Sequence, residues 1–212
     1  MTEIVEQFEQ AILSLDRLTA KNMLTQSMDK YGWTPIQFIE NVIVPALNRI
    51  GMGFERGMIA LSQNYMSGRI CEELVNSVLP PDAPDRKHQP RMAITVLEDH
   101  HLLGKRIVYS MLRASGFELS DYGQTTAEAL VNRVREDKIE VLLISVLMLP
   151  SVLKIRDVRA LLEQTGTDIK IVVGGAPFLF DDMLWQEVGA DALGRNASEA
   201  AEIITRIMGD VS

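Results

Sequence analysis

The chain has 212 residues, 47% hydrophobic and 24% charged, an ordinary balance for a globular protein of one large or two small domains. Its net charge of −8 excludes a surface built on phosphate neutralisation, so no nucleic-acid partner is expected. No apolar run nears the roughly 20 residues that cross a membrane, and the acidic opening MTEIVEQFEQ with a single cysteine, Cys71, fits a reducing cytoplasm.

Residues 1–80 carry a helical period. Ile4, Val5, Phe8, Ala11, Ile12 and Leu15 recur at that spacing, and Thr19 is placed to cap a second helix. Thr34 before Pro35 marks a further start, with a capping hydroxyl ahead of a proline in the first turn. Ile39, Val42, Ile43, Ala46, Leu47 and Ile50 continue as one stripe, and residues 60–79 carry Ile70, Leu74, Val75 and Val78. Four helices joined by short turns predict a small four-helix bundle. Four of the eight prolines then fall between residues 80 and 90, in PPDAPDRKHQP, which predicts a linker over 81–90.

From residue 91 to 212 the pattern alternates. MAITVL (92–97), VLLISVLM (141–148) and IKIVVGG (169–175) read as buried parallel strands, and FELSDYG (117–123) as a shorter one. Ile107, Val108, Met111 and Leu112 give a helix between the first two. GADALG (189–194), followed by NASEAAEIITRIM, supplies a last short strand and helix. The pattern predicts an α/β fold in this part, a Rossmann-like (flavodoxin-like) sheet of five parallel strands.

Ligands of open parallel sheets bind beyond the carboxyl ends of the strands. That rim gathers Asp99 to Gly104, Asp121 to Gly123, Ser145 to Ser151 and Gly174 to Pro177. The segment EDHHLLGK (98–105) holds the pair His100 and His101. Taken alone, it reads as a solvated turn. Ser145 reads as a buried hydroxyl, and the glycine pair as a turn or a place where backbone approaches a bulky ligand. A protein-built metal cage wants three or four ligands, more than one histidine pair offers, and no G-x-S-x-G elbow supports a hydrolase.

Together these segments resemble the cobalamin-binding fold of corrinoid proteins in methyltransferase systems. DHHLLG is similar to its D-x-H-x-x-G signature through Asp99, His101 and Gly104. SVL (145–147) is similar to its S-x-L, and GGAP (174–177) to its glycine pair. Upstream, RIGMGFERGMIAL (49–61) resembles the helical cap segment that precedes this fold, so the likeness covers nearly the whole chain. The resemblance implies cobalamin, or another corrinoid, bound with its nucleotide tail displaced and His101 as the axial ligand of cobalt. The corrin already supplies four nitrogens, so one protein ligand suffices. It further implies that Asp99 fixes the His101 tautomer and that Ser151 hydrogen-bonds Asp99. Leu102, Leu103, Gly104, Tyr122, Gly123, Ser145, Leu147, Gly174, Gly175 and Ala176 are implied as cofactor-binding, with Met52, Phe54 and Tyr65 capping the corrin. Three positions depart from the family pattern: Glu98 replaces a usual glycine, Leu102 a polar residue and Leu149 a frequent threonine.

Within that family the chain reads as a methyl carrier, without complete catalysis of its own. Its expected partners are a substrate-specific methyltransferase, an acceptor methyltransferase and a reductive activase. The alternative is a cobalamin-based sensor, whose cap offers an upper histidine where this chain has Asn64 and Tyr65. A mutase subunit would need a barrel that this chain lacks.

Overall fold

The computed structural model describes residues 2–78 and 89–210, so most of the expected linker lies outside the described residues. None of its helices is long and apolar enough to cross a membrane. The described chain divides into two compact units. One gathers the N-terminal helices together with Ser110–Phe117, and the other holds Gln89–Tyr109 and the residues from Glu118 onward.

In the helical unit, α1 (Thr2–Leu13) buries Val5, Phe8, Ala11 and Ile12. Leu15 falls outside the expected stripe: it sits past the helix end with φ 62° and is exposed. Asp16, rather than Thr19, caps α2 (Arg17–Tyr31); its carboxylate accepts the Thr19 N–H at 2.9 Å and the Thr19 hydroxyl at 2.7 Å. Thr34 does cap α3 (Pro35–Phe38), in a reciprocal box: Thr34 Oγ1 accepts from Gln37 N–H at 3.2 Å, and Gln37 Oε1 accepts from Thr34 N–H at 2.9 Å.

A π-helical turn, Ile39–Ile43, joins α3 to α4 (Val44–Glu55). Pro45 explains it. A proline inside a helix has no N–H to give and crowds the preceding turn, and the wider turn, with Val44 N–H reaching Ile39 O, absorbs both defects. The stripe Ile39, Val42, Ile43, Ala46, Leu47 and Ile50 stays buried throughout. α5 (Leu61–Val78) completes the bundle, and Phe8 meets Phe38 edge-on, with centroids 5.6 Å apart. The second half of α6 (Leu102–Ala114) packs here through polar contacts. Ser110 Oγ donates to Glu72 at 2.9 Å, and Arg113 donates to Asn76 at 2.6 Å.

The α/β unit is a five-stranded parallel sheet in the order β2-β1-β3-β4-β5. Its strands are β1 (Met92–Leu97), β2 (Ser120–Thr125), β3 (Val141–Ser145), β4 (Lys170–Gly174) and β5 (Ala192–Leu193). α7 (Ala127–Glu136) and α8 (Leu149–Gln164) cover one face with Val131, Val134, Val152, Ile155 and Val158, against Ala93, Leu97, Leu142, Ile144, Ile171 and Val173. The alternate strand residues Met92, Ile94, Val96, Leu143 and Val172 are buried too, so the inner strands are apolar on both faces. After β4 come a short 3-10 turn (Ala176–Leu179) and α9 (Leu184–Glu187). α10 (Ala197–Asp210) follows β5. Strand order reverses between β1 and β3, which places the ligand crevice at the loops that follow those two strands.

Candidate functional site

Those two loops meet through Asp99. Its Oδ1 lies 2.6 Å from His101 Nδ1 and accepts the His101 backbone N–H at 3.0 Å; its Oδ2 accepts the backbone N–H groups of Leu147 at 2.8 Å and Met148 at 3.1 Å. The carboxylate therefore sits at the amino end of α8, whose cap position, Met148, supplies no capping side chain. Burial by itself would push the Asp99 carboxyl up. The bonds from Leu147, the His101 ring, the His101 backbone and Met148 together outweigh it and hold the group well below the usual carboxylate range.

The result is an asymmetric pair. The Asp99 side chain is 1% exposed and the His101 side chain 55% exposed. With an ionised carboxylate as acceptor, Nδ1 carries the ring proton and Nε2 is left with a lone pair. Among the described residues none hydrogen-bonds Nε2, and no three His, Cys, Asp or Glu side chains converge on a common point. The loop offers a single oriented nitrogen. Such a donor set fits a metal whose other ligands come from a macrocycle. Gly104, in the first turn of α6, fits the same purpose: a Cβ there would stand 3.5 Å from Ser145 Oγ, so the glycine leaves the end of β3 uncovered.

Ser151 is placed differently from the expectation. Its hydroxyl donates to the Glu98 carbonyl at 3.0 Å, because both Asp99 oxygens are already committed. Ser151 thus holds the main chain of the loop after β1 rather than the carboxylate. Glu98 itself has φ 46°, a left-handed conformation suited to the glycine that the resemblance leads one to expect there, and its N–H closes on Thr125 O at 2.9 Å.

Tyr122 also differs. Its side chain is buried in the core; its hydroxyl donates to Asp137 at the end of α7, and its ring lies 3.8 Å from the Arg133 guanidinium carbon. Burial, with the Asp137 carboxylate beside it, raises the phenol well above its ordinary value. The side chain is used inside the sheet, not at the rim. The glycine pair answers to the chain's own backbone first. A Cβ on Gly175, where φ is 131°, would fall 1.8 Å from Val146 O, and one on Gly174 would fall 2.8 Å from Gly194 O. These glycines let the loops after β3, β4 and β5 close on one another.

Leu103 and Leu147 are exposed at the rim, while Leu102 and Ala176 are half-buried there. They are joined by an apolar set of which the sequence reading singled out Leu149 alone: Met148, Leu149, Leu153, Leu179, Phe180 and Met183 are all exposed. The signal for them was an unusually apolar run after β3 and another after β4. On the helical unit, Met52 and Phe54 at the end of α4 are exposed, and Tyr65 on α5 is half-buried. Also unforeseen was Lys105, 3% exposed, whose ammonium pairs with Asp121.

Two family patterns, each described as a B12 binding domain, match residues 91–204 and residues 4–78. The dimethylamine corrinoid protein 1 of Methanosarcina mazei is 32% identical over 209 residues, covering 93% of each chain. Among solved structures, a cobalamin-binding protein from Desulfitobacterium hafniense superposes with a TM-score of 0.77 at 25% identity, covering 95% of this chain and 97% of that one. The monomethylamine corrinoid protein of Methanosarcina barkeri superposes with a TM-score of 0.58 at 29% identity, covering 98% and 99%.

Proposed function

Because the chain belongs to the B12-binding domain family of corrinoid proteins, with cobalamin as its cofactor, we propose that it carries a methyl group between partner methyltransferases. The observation that carries this reading is the exposed His101 ring, tied at Nδ1 to the buried Asp99 and open at Nε2. In the proposed complex His101 Nε2 would be the one protein nitrogen holding the cobalt, with the nucleotide tail accommodated in the slot beside it. Bound cobalamin supplies a cobalt centre able to accept and release a methyl group.

The protein's share is orientation and exclusion of water. Asp99 keeps the proton on Nδ1 and holds the ring in one direction, and Ser151 fixes the preceding carbonyl. Gly104, Ser145, Leu147, Gly174, Gly175 and Ala176 are assigned to the displaced tail, with Leu102, Leu103 and Gly123 at its edges. Met52, Phe54 and Tyr65 are assigned to shield the methyl group, a role that needs packing and no metal-binding side chain. All three histidines of the chain lie at 88, 100 and 101, so residues 1–80 offer no imidazole for an upper ligand.

The relatives named for dimethylamine and monomethylamine favour a methylamine as the methyl source. The proposed partners are a methyltransferase that loads the methyl group, another that removes it, and a reductive activase.

The test is electron spin resonance of the cobalt(II) form loaded with cobalamin, using nitrogen-15 histidine. Axial nitrogen coupling is expected in the wild type and should vanish in His101→Ala. Coupling that survives this substitution would overturn the assignment. Illuminating the alkylcobalamin form should give no stable spectrum of two axial imidazoles, whereas a light-locked adduct would favour a sensor.

A further inference from the structure

Beside His101 stands a second imidazole at the position that the D-x-H-x-x-G spacing leaves open. His100 is exposed, and its ring is held from β2: Gln124 Nε2 lies 3.1 Å from His100 Nδ1. Gln124 reaches that point through a bulge. Ile94 pairs with Asp121 and Val96 with Gln124, so Tyr122 and Gly123 together stand opposite Thr95, and Gly123 takes φ 69°. An extra residue of this kind re-aims the side chains that follow it.

The bulge is locked from both sides. The buried ammonium of Lys105 pairs with Asp121 Oδ1, and the same oxygen accepts the Gly123 N–H at 2.8 Å. Thr95 Oγ1 donates to Gly123 O at 3.2 Å. Lys105 follows Gly104 directly, so the first turn of α6 also sets where β2 presents Gln124.

An amide nitrogen only donates, so His100 Nδ1 accepts and the ring proton sits on Nε2. The two neighbouring imidazoles therefore carry opposite tautomers, one presenting a lone pair and the other an N–H. We propose that His100 is a cofactor-binding residue whose Nε2–H donates to an acceptor oxygen at the edge of cobalamin. That oxygen is either an amide carbonyl on the corrin periphery or the phosphate of the nucleotide tail. The inference rests on the reading that cobalamin is held through His101.

The test titrates aquacobalamin, and separately aquacobinamide, which lacks the tail, into the apoprotein and its variants. His100→Ala is expected to weaken cobalamin binding about fivefold, the size of one lost hydrogen bond. His100→Gln, which keeps a donor, should recover most of it. Gln124→Ala should weaken binding less, and the double variant no more than His100→Ala alone, because the glutamine acts through the ring. A matching loss for cobinamide assigns the bond to a corrin amide, and a loss confined to cobalamin assigns it to the phosphate; either supports the proposal. Unchanged cobalamin affinity in His100→Ala, or additive losses in the double variant, overturns it. The nitrogen-15 coupling should persist in His100→Ala. Its disappearance would make His100 the cobalt ligand and would overturn both assignments.

Discussion

One oxygen of Asp99 fixes both ends of His101, lying 2.6 Å from the ring Nδ1 and 3.0 Å from the backbone nitrogen. The other oxygen joins the loop after β1 to the loop after β3. Replacing the carboxylate by an amide leaves one acceptor oxygen for four contacts. Asp99→Asn is expected to cost the apoprotein about 2 kcal/mol, read from urea unfolding. A loss within error of zero would show that the carboxylate does not organise the two loops.

Glycines at the rim and away from it separate by what surrounds them. Gly175→Ala would drive its Cβ to 1.8 Å from Val146 O at φ 131°, and should destabilise the protein by about 3 kcal/mol or more. Gly166, at φ 63° with nothing within 4 Å of a built Cβ, pays only the left-handed conformation, about 1 kcal/mol. Equal melting temperatures for the two alanine variants would contradict this ranking.

Glu98 strains the loop after β1 at φ 46°. Glu98→Gly relieves roughly 1–2 kcal/mol of left-handed strain and loses about 0.5–1 kcal/mol to the freer unfolded chain. The variant apoprotein should therefore be more stable, by about 0.5 kcal/mol. A destabilised variant would mean that the Glu98 side chain makes a compensating contact.

Asp16 gives a test by pH. Bonds from the Thr19 N–H and hydroxyl hold its carboxyl below the ordinary value of 3.8. A depressed folded-state value means that the cap stabilises α2 fully above about pH 4 and loses that contribution as pH falls through the lowered value. Asparagine caps comparably without titrating. Wild type and Asp16→Asn should melt together at pH 7, with the variant melting relatively higher below pH 4. Parallel melting curves from pH 7 to pH 3 would remove Asp16 from the acid response.

Local chemistry was legible in the residues. The run MAITVL became β1 without adjustment, and Thr34-Pro35 became a capped helix start, because burial period and capping are properties of short segments. The spacing of Asp99 and His101 within one loop was equally plain, and only one residue, His100, separates them in the chain. What the residues alone did not settle depended on partners distant in the chain. Ser151 turns to Glu98 O because Leu147 and Met148 have taken the second Asp99 oxygen, a competition across some fifty residues decided by how β1 and β3 align. Tyr122 goes to the core, and Gln124 to His100, because a bulge shifts the register of β2 against β1, and no period in the sequence marks that shift. Ser110–Phe117 likewise cluster with the N-terminal helices through Glu72 and Asn76, although α6 begins at the loop after β1. The sequence by itself determined the elements and the chemistry available at the rim. Register and packing between distant segments decided which of those groups face one another, since a hydrogen bond acts over about 3 Å and only the folded chain sets distances that short.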